Sequence, residues 1–404
     1  MTATDRPKLR PLLCATPEDA GGMHYILHCG LRLSRSYLRV SALELEWLRL
    51  FDGRNTLREV QAEAMRPLGG QLLPLQMFAD LAGRLDAAGF LDGHHFREKA
   101  FGTVRQATHA ESYGHTADAI RANLDGLFRH PNGAGVPSEP RPDDRFRAIL
   151  APHIDYGRGG LSYTFAFKEL YERTPASLFV IIGTSHYSRH RFTVTRKHFE
   201  TPLGLAPTDQ AYVDRLAKHY GDGLFDDELM AHLPEHSIEL EVVFLQYLYA
   251  GKRAIRIVPL VVGSFHDCIY TQQQPAARPD ISRMVDALRA VEAETDEPIC
   301  YVISGDLAHI GPDFGDRGRL QQPQLDHSRN QDLALLAQTE KADAAGYFNL
   351  VAGERDGRRI CGLPPTWMVL AATQPSGGRM LHYDQYVHPV GKQSVSFASV
   401  VFER

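Results

Sequence analysis

The sequence predicts an α/β sandwich with a mixed sheet, preceded by a small winged-helix-like α+β domain. Three observations lead to this prediction. The chain has 404 residues, a length that suits two domains better than one. From residue 145 onward, continuous apolar runs alternate with amphipathic helical stretches. Before residue 95, short strand-like runs are followed by three short helical stretches.

The composition excludes several classes of protein. Hydrophobic residues make up 43% of the chain and charged residues 23%, as in ordinary globular proteins. The net charge of −5 contains no basic excess, so we expect no nucleic-acid partner. No run approaches the roughly 18–20 apolar residues that span a bilayer, and the first residues do not resemble a signal peptide. The five cysteines are too scattered for a disulfide framework. We therefore expect a cytoplasmic protein that does not enter a membrane.

Residues 1–95 are predicted to form the first domain. The runs HYILHCGLRL and SYLRVS suit a β-hairpin, and SALELEWLRLF carries a mostly helical apolar stripe that an Asp-Gly turn ends. Thr56 and Glu59 can form a capping box at the start of a second helix. The third helix lies in PLQMFADLAGRLDAAGFLDG, where Arg84 is the only basic residue among three aspartates. A recognition helix for DNA should be basic, so this domain is predicted to bind a peptide.

The run LRLFDGRNTLREVQAEA, followed by LAGRLDAAGFL, resembles the PqqD-type peptide-recognition domain. The shared features are the DG-R-x-T turn and the closing pattern of leucine and glycine. The resemblance implies a strand edge and an adjoining helix that hold an extended peptide by main-chain pairing. A generic winged helix, or a dimerisation or docking element, is the alternative.

Residues 96–144 are predicted to be a linker with one helix, and residues 145–404 the second domain. The linker helix lies in HAESYGHTADAIRANLDGLFRH, and a stretch rich in proline and glycine follows it. The runs FRAILAPHI, SLFVIIGTSH, AIRIVPLVVG and PICYVISGDLAH are continuously apolar, as strands buried on both faces are. Helical stretches separate these runs, and two alternating runs near the C-terminus predict antiparallel strands.

Three of the predicted buried strands end in polar residues. His153 follows the first, His186 the second, and Asp306 with His309 the last. In open α/β sheets, ligands bind at the carboxyl ends of the strands, so these side chains are expected to point into one place. The alternative is that each histidine is an ordinary hydrogen-bonded loop residue.

The blocks APHIDYGRGG, IIGTSHYSRHRF, TPLG, EHSIELEVVFLQYL, IVPLVVG, SGDLAHIG and ICGLPP occur in the order found in the Memo family. The bacterial branch of that family is called protein B of the AmmeMemoRadiSam system. The family is similar in fold to the class III extradiol dioxygenases. The resemblance therefore implies an α/β sandwich with a non-haem iron pocket in residues 145–404.

The resemblance also implies a set of metal ligands. The histidines of the family's first two blocks correspond to His153 and His186, and the cysteine of its last block corresponds to Cys361. In the dioxygenases a carboxylate takes the third place of a facial triad that suits ferrous iron. A thiolate makes the site softer and weakens the assignment of dioxygenase activity. Fe(II) is the expected metal, with zinc or copper as alternatives.

Four further residues are implied to serve the pocket without binding the metal. Asp306 and His309 are expected to be catalytic acid/base groups, because a neutral imidazole suits proton transfer near pH 7. The alternative is a structural hydrogen bond between them. Glu235 and His236 are expected to orient a ligand imidazole through its other nitrogen, or else to start the helix that follows. Asp155, where the family has glycine, either tunes the site or faces solvent.

These expectations favour a metal-dependent, oxygen-using enzyme that acts on a peptide or a small aromatic substrate. The resemblance implies radical-SAM and AMMECR1-type proteins as its partners. The rival is a non-catalytic adaptor that holds a metal and binds peptides in the pocket groove. A metal-sensing DNA regulator is the weakest reading, because the third helix of the first domain is acidic.

Overall fold

The computed structural model describes residues 1–11 and 13–404, which divide into two compact units, Met1–Thr108 and His109–Arg404. The first unit is α+β, as the sequence predicts. Its elements are β1 (Leu13–Pro17), β2 (His24–Cys29), β3 (Tyr37–Ser41), α1 (Ala42–Trp47), α2 (Leu57–Met65), α3 (Leu75–Ala87), α4 (His94–Phe101) and the two-residue strand β4 (Val104–Arg105). The first three strands form an antiparallel sheet in the order β1-β2-β3. The predicted capping box of Thr56 and Glu59 is confirmed at the start of α2.

The second unit alternates strands and helices. Its elements are α5 (Ala117–Arg129), β5 (Phe146–Ala151), α6 (Tyr156–Arg173), β6 (Leu178–Thr184), β7 (Phe192–Val194), β8 (His198–Thr201), β9 (Gly204–Ala206), α7 (Gln210–Tyr220), α8 (Glu228–His232), α9 (Glu239–Tyr249), β10 (Arg256–Val262), α10 (His266–Thr271), α11 (Pro279–Ala293), β11 (Ile299–Ser304), β12 (His309–Ile310), α12 (Gln322–Glu340), α13 (Ala344–Gly353), α14 (Leu363–Thr373), β13 (Gly377–Val387) and β14 (Ser394–Glu403).

The main sheet of this unit is mixed, and the predicted fold class is confirmed. The strands follow the order β12-β14-β5-β11-β6-β10-β7, with β13 also paired to β14. The strands β5, β11, β6 and β10 are parallel, and they are the four apolar runs that predict buried strands. Strand β14 is antiparallel to β5 and to β13, as the two alternating C-terminal runs predict.

Helices cover both faces of the sheet. On one face, α5, α6 and α9 enclose a core that includes Phe128, Phe167 and Phe244. On the other, α7, α11, α13 and α14 enclose a core that includes Leu216 and Leu288. Every residue of β5, β6 and β11 is buried, because these central strands have neighbours on both sides and helices above and below.

The division between the units differs from the predicted one. The sequence predicts a linker over residues 96–144, whereas residues from 109 onward belong to the second unit. Helix α5 explains the difference, since its buried residues Ile120, Leu124 and Phe128 are part of the second unit's core. Helix α4 also overlaps the predicted linker, which was expected to hold one helix.

Two glycines let the loop before α14 lie against the end of β11. A Cβ atom on Gly305 would come 2.6 Å from the Cα atom of Gly362, and a Cβ atom on Gly362 would come 2.6 Å from the carbonyl oxygen of Asp306. The φ angle of Gly362 is −73°, which any residue can adopt, so close packing alone requires glycine there. This contact fixes the position of Cys361, the preceding residue.

None of the helices in the described part of the chain combines the length and the apolar content needed to cross a membrane.

We predict that Gly362→Ala destabilises the chain by about 1–3 kcal/mol, because the new methyl group meets main-chain atoms that cannot move aside. Urea-induced unfolding measures this change. Gly126→Ala is the matched control, since Gly126 lies within α5 with no atom near its added methyl group. The control should be neutral or more stable by about 0.5–1 kcal/mol. A Gly362→Ala variant as stable as the wild type would contradict the close contact.

Candidate metal centre

The carboxyl ends of three neighbouring parallel strands carry the candidate site. Strand β11 lies between β5 and β6, and its last residue, Ser304, pairs with the last residue of β5 and with the carboxyl end of β6. His153, Asp306 and His186 follow these strand ends within a few residues. The three side chains therefore meet at one edge of the sheet, where ligands bind in folds of this class.

Cys361 reaches the same edge from the loop before α14. Thr184 Oγ1 donates a hydrogen bond to its carbonyl oxygen at 2.7 Å, which ties the loop to the end of β6. The sulphur atom lies 3.2 Å from His153 Nε2 and 3.7 Å from the carbonyl oxygen of Asp306. Burial raises the pKa of the Cys361 thiol well above its usual range, and the charge of Asp306 raises it further. The sulphur is thus a neutral thiol when no cation is nearby.

His153 is buried and directs one ring nitrogen toward the site. Its Nδ1 lies 3.4 Å from the Ser304 hydroxyl, which itself donates to the Ser237 carbonyl oxygen at 2.5 Å. Since the hydroxyl proton is used there, Nδ1 carries the imidazole proton and Nε2 keeps its lone pair. Nε2 lies 3.8 Å from Asp306 Oδ2. Burial lowers the pKa of His153 well below its usual value, so the ring is neutral.

Glu235 organises two further imidazoles. Its carboxylate accepts hydrogen bonds from the main-chain nitrogens of His186, His236 and Ser237 at 2.8, 2.8 and 3.0 Å. It also lies 2.9 Å from His186 Nδ1 and 3.2 Å from His236 Nδ1. The carboxylate therefore fixes the tautomer of His186 and leaves its Nε2 as the free donor atom, as carboxylates commonly do beside metal-bound histidines.

The charges of this group follow from the same contacts. Burial opposes ionisation of Glu235, yet His186 and the hydrogen bonds lower the pKa of Glu235 well below its usual value. Burial would lower the pKa of His186, but the Glu235 carboxylate raises it overall. His236 lies with its ring stacked on that of His186, at 4.8 Å between ring centres. Burial lowers the pKa of His236 in spite of Glu235.

The donor atoms fall into two overlapping groups, each within 4.8 Å. One consists of His153, His186 and His236, and the other of His153, Asp306 and Cys361. The sequence predicts His153, His186 and Cys361 as the ligands, with Asp306 and His236 outside the set. His153 belongs to both groups, whereas His186 belongs only to the first and Cys361 only to the second. The predicted ligands therefore do not form one group, and the ligand set stays a prediction.

His309 and Asp306 differ in their surroundings. His309 Nδ1 lies 3.1 Å from two main-chain carbonyl oxygens, of Leu307 and Arg359, so it carries the ring proton and Nε2 is left as an acceptor. Burial lowers the pKa of His309 to about 4. Asp306 accepts the main-chain N–H of His153 at 3.0 Å, and burial raises its pKa to about 7. The hydrogen bonds of His309 Nδ1 thus go to the main chain.

Sequence reasoning missed a second layer behind His236. The ring of His109 lies 5.3 Å from that of His236, and its main-chain N–H donates to Glu239 Oε1 at 2.9 Å. The Tyr113 hydroxyl donates to the same oxygen at 2.5 Å. His109 and Tyr113 stand in the predicted linker, far away in sequence. The sequence did contain one indication of this layer: Glu239 is a charged residue within the apolar run IELEVVFLQYL, and a charge in such a run needs a buried partner.

Glu241, in the same run, is a fully buried acid behind the site. Neither of its carboxyl oxygens has a hydrogen-bond partner in residues 1–11 and 13–404. Burial raises the pKa of Glu241 well above its usual value, and the charge of Asp306 raises it further. Glu241 is therefore a neutral carboxylic acid, unlike the ionised Glu235.

A family model described as Memo-like protein matches residues 105–401. A MEMO1 family protein of Methanopyrus kandleri is 27% identical over 306 residues, which cover 74% of this chain and 98% of that protein. A MEMO1 family protein of Aquifex aeolicus is 24% identical over 396 residues, which cover 94% of this chain and 96% of that protein. Among solved structures, an uncharacterized protein of Escherichia coli K12 aligns with a TM-score of 0.36 and 18% identity, over 64% of this chain and 99% of that one.

We predict that Glu241→Gln removes a pH dependence of stability. Burial raises the pKa of Glu241, so its neutral form stabilises the fold fully below the unfolded-state pKa of about 4.5, and that contribution is lost as pH rises through the folded-state pKa. The difference in the free energy of unfolding, variant minus wild type, should therefore increase by about 1 kcal/mol or more between pH 4.5 and pH 8. Urea unfolding at both pH values measures this increase.

Glu200→Gln, at an exposed position, controls for the loss of a negative charge. If the two Gln variants show the same dependence on pH relative to the wild type, Glu241 is not the neutral acid that its burial indicates.

Proposed function

This chain belongs to the Memo family, and from that premise we propose that residues 109–404 form a mononuclear metal enzyme. One ion would be held by His153, His186 and Cys361. Ferrous iron is the favoured ion, with zinc or copper as alternatives. The chemistry we propose is a redox reaction that uses oxygen and acts on a peptide or a small aromatic substrate.

The convergence of donor atoms at His153 Nε2 is the observation that supports this proposal. In a four-coordinate site with bonds of about 2.0–2.3 Å, donor atoms lie roughly 3.3–3.8 Å apart. His153 Nε2 lies 3.2 Å from Cys361 Sγ and 3.8 Å from Asp306 Oδ2. Such spacing between a neutral imidazole, a thiol and a carboxylate fits a shared cation, and the residues present therefore fit the expected metal.

The donor set also bears on which ion is favoured. His153 and His186 supply two imidazoles, as in the facial triad that binds ferrous iron, and the carboxylate of Asp306, which we place outside the ligand set, lies 3.8 Å from His153 Nε2. Cys361 adds a soft donor that zinc and copper also accept. When bound, iron or copper would supply redox chemistry, whereas zinc would supply only a Lewis acid.

The surrounding residues have separate tasks in this proposal. Glu235 holds the ring of His186 in place by accepting from its Nδ1. His309 is the proton acceptor in this proposal. Its Nδ1 carries the ring proton toward two carbonyl oxygens, so the lone pair of Nε2 is left to accept a proton. Asp306 positions His153 by accepting a hydrogen bond from its main-chain N–H.

The first unit supports the peptide part of the proposal. Within this unit β3 is an edge strand of the sheet, and Tyr37, at the start of β3, is 76% exposed. An edge strand offers unpaired main-chain groups to an extended peptide. We propose that this unit holds a peptide, and that radical-SAM and AMMECR1-type proteins are partners. A non-catalytic adaptor that holds a metal and binds peptides is the rival function.

We predict one metal ion per chain after anaerobic purification, measured by elemental analysis. His186→Gln should lose most of the metal, and His236→Gln should keep it. The two histidines are a matched pair, because both place Nδ1 on Glu235 and only His186 belongs to the proposed ligand set. Cys361→Ser should remove the thiolate charge-transfer band of the cobalt-substituted protein. Loss of metal in His236→Gln together with full retention in Cys361→Ser would show that the metal binds His153, His186 and His236 instead.

We predict that His309→Gln keeps the metal and loses oxygen uptake with an active substrate, by about 100-fold or more, since general-base catalysis contributes about that much. Gln cannot accept and release a proton at this position. Oxygen uptake and metal content are measured on the same preparation. An adaptor would consume no oxygen in either protein, and metal loss in His309→Gln would make His309 a ligand.

A further inference from the structure

A row of three side chains crosses the sheet beside the candidate metal centre. His309 in β12 and Tyr386 in β13 both pair with Val395 in β14, on its two sides. Directly opposed residues of antiparallel strands place their side chains on the same face. The side chains of His309 and Tyr386 therefore lie on one face, two strand spacings or roughly 10 Å apart.

The surface along this row is apolar. Val395 is buried with Ile154 and Phe397, and the partly exposed rings of Tyr386 and Phe314 pack against them. The Phe314 ring also meets the ring of His309 edge to face, with 5.1 Å between their centres. An aromatic surface thus extends from His309 to Tyr386.

Arg158 stands at the far end of this row. It lies in the first turn of α6, and its guanidinium carbon is 5.3 Å from the centre of the Tyr386 ring. Its Nε donates to Asp155 Oδ2, and Asp155 also caps the helix. Asp155 is the only hydrogen-bond partner of this guanidinium in the described part of the chain, so both Nη atoms keep their protons available. The side chain is 35% exposed, which leaves these donors open to a ligand.

The charge of Arg158 reaches the candidate site. It lowers the pKa of Asp306 and also that of His309, although burial is the larger effect on both. The guanidinium is held in one direction by Asp155 and by the Tyr386 ring, so little side-chain freedom is left to lose when an anion binds. Asp155 offsets the net charge of Arg158, and recognition must therefore come from directed hydrogen bonds at short range.

We propose that Arg158 binds the carboxylate of the substrate, whose aromatic body lies over Tyr386 and Phe314 and whose opposite end reaches His309. A single aromatic ring with a carboxylate and a hydroxyl at opposite ends offers an acceptor to the Nη–H groups of Arg158 and directs its hydroxyl toward His309, and a hydrogen bond of about 2.8 Å at the Arg158 end would fix this orientation. The inference rests on the proposed function for what happens at the His309 end. The carboxylate contact itself involves no metal ligand.

The carboxylate can belong to a small aromatic acid or to a peptide that ends in an aromatic residue. Two pairs of probes separate these sources: 3,4-dihydroxybenzoate against catechol, and N-acetyl-Gly-Phe against its C-terminal amide. Binding of each probe to the full chain is measured by calorimetry, with and without prior removal of metal by a chelator. In at least one pair, the acid should bind about tenfold or more tightly than its uncharged match.

Arg158→Gln should abolish this difference, and Arg158→Lys should restore part of it, because lysine keeps the charge without the planar fork. Arg196→Gln is the matched control. Arg196 also pairs with a carboxylate, that of Asp214, and lies over an aromatic ring, that of Phe225, outside the row. The control should bind all four probes as the wild type does.

The inference fails if neither acid is preferred, or if Arg158→Gln keeps the preference. Metal analysis of the same preparations separates it from the proposed function. A chain that holds no metal but still prefers the acid through Arg158 overturns the proposed function and supports this inference. A chain that holds metal at the proposed ligands but shows no preference for either acid supports the proposed function and overturns this inference.

Discussion

The in-register parallel pairing of β5, β11 and β6 is the constraint on which the site depends. These strands are buried on both faces, so a shift of one residue would exchange the side chains packed on the two helical layers. The fixed register places His153, Asp306 and His186 at one edge. The main chain of the loop that carries Cys361 lies directly against the end of β11, because Gly305 and Gly362 have no side chains to keep the two segments apart.

The buried carboxyl groups around this edge differ in charge because they differ in hydrogen bonding. Glu235 receives several N–H donors and stays ionised, whereas burial keeps Glu241 neutral. Asp306 receives fewer bonds, and its pKa of about 7 lies between these extremes. Burial also keeps His153 neutral. Neutral imidazoles beside an ionised carboxylate favour a cation, since each supplies a lone pair or a negative charge.

The sequence was most informative where a local pattern determines structure. Continuous apolar runs identified the central strands, and the polar residues after them identified the edge at which His153 and His186 lie. Patterns of this kind cannot show which donor atoms face one another across loops. The two overlapping groups around His153 depend on ring directions set by Glu235 and by main-chain carbonyl oxygens. His109 was missed because its contact with Glu239 spans 130 residues of sequence.

The site has an inner and an outer side with opposite requirements. On the inner side, Glu235, Cys361 and the imidazole lone pairs suit a cation. On the outer side, the aromatic surface leads to Arg158, whose free Nη atoms suit an anion. His309 lies between them with a neutral Nε2. Under the proposed carboxylate contact, we expect a substrate with a carboxylate at one end to bind in one orientation, because the free Nη–H donors lie on Arg158 beside Tyr386 and the ionised Glu235 lies on the inner side. In this proposal the orientation of the ligand follows from the position of the hydrogen-bond donors of Arg158 relative to the imidazole of His309.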